Sequence, residues 1–272
     1  MITRSRQLVF ILGAPAVASY AIHRGLRTLE ARYPALPVND TTCSPALRTP
    51  NSPSTQHTPQ IDIYSARIPL KALLSRTTDR DNTSPSNKTL SETWARSVFG
   101  SRIFRLEGSI LGLLAERTFN PGDIGDTPGG FGPVRTTVNG NGKEEKRVLL
   151  HGVATVERPP GDANAYGLLI AWKMPDEPRL FFEKIARWGY PWRLMSGGRH
   201  ELSVSEPFAV PGREEEGPFV EVRFASAHDY EVVAEEGKLG RQKTIPGWSA
   251  RLHRGYAMLI LDGAVRELVS GK

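Results

Sequence analysis

Val220-Glu221-Val222-Arg223-Phe224-Ala225-Ser226-Ala227 and the stretch from Ser249 to Val269 that follows it decide how this chain folds. In the first, β-branched and aromatic residues alternate with charged ones at a period of two, the pattern of a strand with one buried face. In the second, Leu252, Tyr256, Leu259, Ile260 and Gly263 recur at helical spacing, which predicts a long amphipathic C-terminal helix. Strands that stop just before such a helix call for an α+β fold, a curved antiparallel sheet wrapped around the last helix. Working outward, Arg147 to Glu157, Ala165 to Met174, Arg199 to Pro207 and His228 to Glu235 also read as strands. Leu180 to Trp188 reads as a short helix between them. Ile61 to Leu70 is a first strand ended by Pro69. Thr89 and Glu92 match a capping box and predict a helix from Leu90 to Leu114. Two helices meeting at Gly100-Ser101 fit the same residues equally well. Phe119 to Thr137 reads as a loop, and 26 glycines and 21 prolines argue for many turns.

The front of the chain is different. Residues 1–60 carry six arginines against two acids, so they supply +4 of the formal net charge of +6 and leave the rest nearly neutral. A nucleic-acid binder should carry its basic excess on the folded body, so no nucleic-acid partner is expected. Residues 1–38 read as an apolar anchor or targeting segment, 39–60 as a disordered linker rich in Pro, Ser, Thr and Asn, and 61–272 as one α+β domain. Leu8 to Ile22 offers fifteen apolar-biased residues flanked by arginines, short of the roughly 20 that a spanning helix needs. A retained membrane anchor is the preferred reading. A mitochondrial presequence, a cleaved secretory signal and a peripheral stub remain open. Sequons at Asn39, Asn82 and Asn87 would make the protein a glycoprotein if the domain faces a lumen. The lone Cys43 rules out an internal disulfide and any cysteine-based zinc site.

The element order, with Val220 to Phe224, Gly247-Trp248 and Leu252-His253-Arg254 as a sheet closing onto a helix, resembles the helix-grip domains of the START-like, polyketide-cyclase-like superfamily over residues 61–270. The apolar stub ahead of such a domain resembles fungal accessory proteins of natural-product pathways. The resemblance implies an apolar ligand held between the sheet and the last helix, in a carrier, a cyclase or an isomerase. It assigns no residue.

The chain contains no phosphate loop, no H-E-x-x-H and no G-x-S-x-G, so nucleotide chemistry, zinc proteolysis and serine hydrolysis lose their usual supports. Polar groups within apolar strands remain. His200 shares a face with Leu202 and Val204, which makes it the inward candidate for acid/base work at neutral pH, against the commoner role of a structural histidine. His228, Asp229 and Tyr230 cluster; a turn is preferred there over a continuous strand, in which His228 and Tyr230 would lie together. Glu107 sits at helical spacing with Ile103, Ile110 and Leu114 and would need a partner, Arg254 or Tyr256. His200, His228, Tyr230 and Glu107 are thus the catalytic candidates, and Trp172, Trp188, Trp192 and Tyr256 the ligand-binding ones. No cofactor and no metal are expected. The partners expected are an apolar small molecule, a membrane through the N-terminal segment, and a membrane enzyme beside it.

Overall fold

The computed structural model describes residues 4–77, 86–114, 124–127, 129–138, 141–161 and 166–270, with side chains from Val17 onward except at 111–114, 135–138, 141–143 and 151. Its centre is a six-stranded, wholly antiparallel, open sheet in the order β1-β8-β7-β6-β5-β4. The strands are β1 (Gln56–Pro69), β4 (Val148–Leu149), β5 (Ala154–Arg158), β6 (Leu168–Lys173), β7 (Gly197–Val204) and β8 (Phe219–Glu231). A separate hairpin pairs β2 (Val134–Val138) with β3 (Asn141–Glu145), inside and just beyond the stretch read as a loop. The long C-terminal helix, α7 (Gly247–Ser270), lies against the sheet. It shares that face with α4 (Asn87–Phe99) and α5 (Arg102–Leu114), so several helices, and not the last alone, cover the sheet.

Period-two alternation sorts the two faces. Leu202, Val204, Val222 and Phe224 join Trp94, Val98, Phe99, Ile260 and Leu261 in the main core. Leu169, Ala225 and Ala227 point the other way, into a smaller core with Cys43 and Leu47. That second core corrects the reading of 39–60 as a disordered linker. The segment folds back over the sheet, and Cys43 and Leu47 are fully buried. It contains α2 (Pro45–Arg48), capped by Ser44, whose hydroxyl accepts from the Leu47 amide. Its anchors are charged groups that pattern alone assigns to solvent. Glu201 accepts from the Ser44 amide (3.0 Å) and hydroxyl and from Arg158 (2.7 Å), and Arg199 donates to the Leu47 carbonyl (3.0 Å). Asp229 pairs with Arg199 and accepts from the Asn51 amide and the Thr58 hydroxyl.

Other elements shift from their expected bounds for local reasons. The capping box at Thr89 does not form. Ser86 caps α4 three residues earlier, and Glu92 is taken up by Arg96 one turn along. The hitch at Gly100-Ser101 is a true break between α4 and α5. Phe219 to Glu231 runs as one strand through Ala227-His228-Asp229, so the turn expected there is replaced by continuous pairing with Gly197 to Val204. The short helix expected at Leu180 to Trp188 is α6 (Asp176–Arg187).

At the front, α1 (Arg4–Arg32) runs parallel along α7, with His23, Leu26 and Tyr33 meeting Arg251, Gly255 and Asp262 in turn. Tyr33 and Arg32 both donate to Asp262, Arg251 donates to Glu30, and Gly255 leaves the space into which Leu26 inserts. α7 is therefore buried on two sides, and the stripe expected to face the sheet is partly wrong: Leu252 and Leu259 are exposed, while Ala257, Ile260 and Leu261 are buried. Of the apolar run Leu8 to Ile22, the side chains up to residue 16 lie outside the described residues. Among the described residues no helix is long and apolar enough to cross a membrane. The sequon Asn82 also lies outside them; Asn39 stands in an exposed turn and Asn87 opens α4.

Candidate functional site

Between the sheet and the helices lies a cavity of about 190 Å³. Its sheet wall is built from Ile170, Trp172, His200, Leu202 and Phe224. Phe99, Phe104 and Glu107 of α4 and α5, with His253, Tyr256 and Ile260 of α7, form the opposite wall. Leu150 and Val153, in the turn between β4 and β5, close one side. Leu150 sits there with a positive φ of 54°, a costly conformation for a branched side chain, and Val153 is half exposed at the rim.

Strand register explains the wall. Across the sheet, Trp172, Gly198, His228 and Gln60 form one rung, and Ile170, His200, Ser226 and Asp62 the next. Gly198 has a steric reason: a Cβ there would lie 2.4 Å from the Ala227 carbonyl oxygen and about 3 Å from the Trp172 indole. The indole therefore lies flat over the glycine, stacked on His200 with ring centres 6.3 Å apart and planes 18° apart. His200 also meets Phe224, and His228 packs edge-on against His253 at 4.5 Å.

The polar groups of the site fall into two patches. On the helical wall, the Tyr256 hydroxyl donates to Glu107 Oε2, so of the two expected partners Tyr256 is the one found. Burial raises the Glu107 pKa, against the lowering effect of that hydrogen bond, and burial with the adjacent carboxylate raises Tyr256 strongly. On and facing the sheet wall are three imidazoles, His200 and His228 on strands and His253 opposite them on α7. Burial, reinforced by repulsion from His253, lowers His200 to about 3; burial, then His253, His200 and Arg199, lowers His228 to about 3. His253 is lowered by burial alone. All three are neutral at pH 7. His200 and His228 thus lie far from the neutral range that would suit the acid/base role expected of them. Both nitrogens of His228, Nδ1 of His200 and Nε1 of Trp172 are buried without a hydrogen-bond partner. Each such group costs about 1–3 kcal/mol. Four in adjoining rungs mark this end of the cavity as electrostatically incomplete.

Of the sequence candidates, the fold brings His200, Glu107, Trp172 and Tyr256 to the cavity wall. His228 lies beside that wall on the same sheet face, packed against His253, and does not line the cavity. Tyr230 is fully buried farther along β8, where its hydroxyl accepts from the Ile245 amide at 3.4 Å. Trp188 and Trp192 are elsewhere, exposed at the end of α6 and in the loop after it. His253, Phe99 and Phe104 line the cavity and were not singled out. The available signal for His253 was its spacing with Tyr256, Ala257 and Ile260 on one helical stripe. Among the described residues, no group of three His, Cys, Asp or Glu side chains is placed to hold a metal ion.

Compared with known proteins, the chain matches no family model, no curated protein and no solved structure.

Proposed function

We propose that the protein binds an apolar, ring-sized small molecule between its sheet and its C-terminal helix in the helix-grip manner, tethered to a membrane through its N-terminal segment, and assists the conversion of that ligand by cyclisation or isomerisation. The observation that carries this is the cavity itself: carbon on most of its surface, with polar groups confined to two opposed patches. An apolar cavity of roughly 150 Å³ accepts a benzene ring, so about 190 Å³ suits a substituted or fused one. In such a site rate comes mainly from holding a flexible substrate in one reactive conformer. Glu107 is the group suited to move a proton, because burial brings its carboxyl closer to neutrality while Tyr256 fixes one oxygen. His200 and His253 then act as neutral hydrogen-bonding partners that orient the ligand.

A carrier or accessory-subunit role is favoured by one specific observation, the very low basicity of His200 and His228, which removes both strand imidazoles as proton acceptors near neutral pH. Native mass spectrometry of the protein extracted in detergent separates the two readings. A carrier returns its copurified ligand unchanged. An enzyme converts an excess of it, and Glu107→Gln stops conversion while binding persists. Ala257→Phe, which fills the cavity, should abolish binding of 2-naphthol, read by its fluorescence; undiminished binding by that variant ends the proposal.

A further inference from the structure

Three of the five tryptophans, Trp188, Trp192 and Trp248, are exposed, at 75%, 36% and 64%. All three stand at one end of the molecule. Lys243, in the loop leading into α7, donates its Nζ to the Ala186 carbonyl of α6 (2.7 Å), and the Arg193 amide donates to Thr244 (3.2 Å). These bonds stitch the end of α6 to the start of α7. α6 is an outlying helix of which only Ala186 is buried; Leu180 and Phe181 are 50% and 59% exposed. α1 points to the same end. It runs parallel to α7, with Tyr33 against Asp262 and His23 against Arg251, one turn from the start of α7. Residues before His23 therefore pass beyond that start, and Val17 and Tyr20 there are exposed.

An apolar surface of this extent on separate elements calls for a cover. Its chemistry specifies which. The aromatic groups are mostly tryptophan, whose amphipathic ring favours a water–lipid boundary, and Lys184 holds its ammonium 5.3 Å above the Trp188 ring. Arg24, Lys184, Arg187, Lys238 and Arg241 are exposed around the patch. Glu183 shares Arg179 with Asp176 and Glu236 pairs with Arg193, which leaves Asp176, Glu177 and Glu235 as the exposed acids against those five cations. We infer that this end is a bilayer-docking face that sets Phe181, Trp188 and Trp248 at the headgroup level of an anionic membrane. The inference is independent of the cavity reading.

The test uses the full chain with vesicles of phosphatidylcholine, with and without phosphatidylserine. Tryptophan emission of the bound protein should be quenched by brominated acyl chains. Trp188→Ser with Trp248→Ser should weaken binding roughly tenfold or more. Lys184→Glu should weaken binding to the serine-lipid vesicles about fivefold and leave the zwitterionic ones unchanged. Phe181→Ser repeats the test if the double variant does not fold. Unquenched emission, or affinity retained by the double variant, overturns the inference, as does a dimer without lipid that the same substitutions dissociate. Unchanged 2-naphthol binding in these variants shows that the cavity is a separate matter.

Discussion

At the scale of single residues, the most costly groups are those that pattern assigns to the wrong environment. Arg199 and Asp229 alternate with inward-facing residues and read as solvent-facing, yet both are essentially buried, at 3% and 0% side-chain exposure. Removing one partner leaves an uncompensated charge under the folded-back segment, so Asp229→Ala should cost about 3–5 kcal/mol in urea unfolding. The imidazoles make a pH statement. For His200 and His228 the folded-state pKa is depressed to about 3 from 6.5, so the unfolded chain binds more protons between these values. Stability is fully present above pH 6.5 and falls as the pH drops towards 3. His228→Leu should flatten that acid limb; an unchanged profile would show that the ring is not held neutral. Gly198→Ala, at the seat of the Trp172 indole, should shift the near-ultraviolet circular dichroism and weaken 2-naphthol binding.

At the scale of elements, the informative contacts join parts of the chain distant in sequence. Ser44 ties α2 to Glu201 of β7 while capping α2 itself. Ser44→Ala removes an N-cap worth about 0.5–2 kcal/mol and one of the Glu201 partners. Hydrogen exchange should then rise across 36–55 and leave α4 and α7 protected. Alternation along β7 and β8 was legible, and it placed His200 on the inner face correctly. What α7 touches was not legible. A single stripe was read on it, whereas α1 covers a second side through Leu26 and Asp262, and spacing on one helix says nothing about a neighbour more than two hundred residues away. Gly255→Ala should loosen the α1 contact, raising exchange in residues 24–32.

At the scale of the whole molecule, the sheet is covered on both faces, by α4, α5 and α7 on one and by the segment around α2 on the other. The cavity survives because its ring-bearing wall, Trp172, His200, Phe224, Phe99 and Phe104, belongs to elements that meet at fixed distances and cannot all collapse together. A ligand that fills it at a hundred times its dissociation constant should stabilise the fold by about 2.7 kcal/mol, read as a rise in melting temperature that Ala257→Phe abolishes.

Periodicity by itself determined the α+β class, the antiparallel strands, the long last helix and the inward side of β7, because these depend on residues two to four apart. Only the tertiary structure decided that residues 39–60 are packed, that Tyr230 stands away from the cavity while His253 enters it, and that Glu107 meets Tyr256. Those outcomes depend on which surfaces come together and on what burial does to a charge once they have, and neither is written in local spacing.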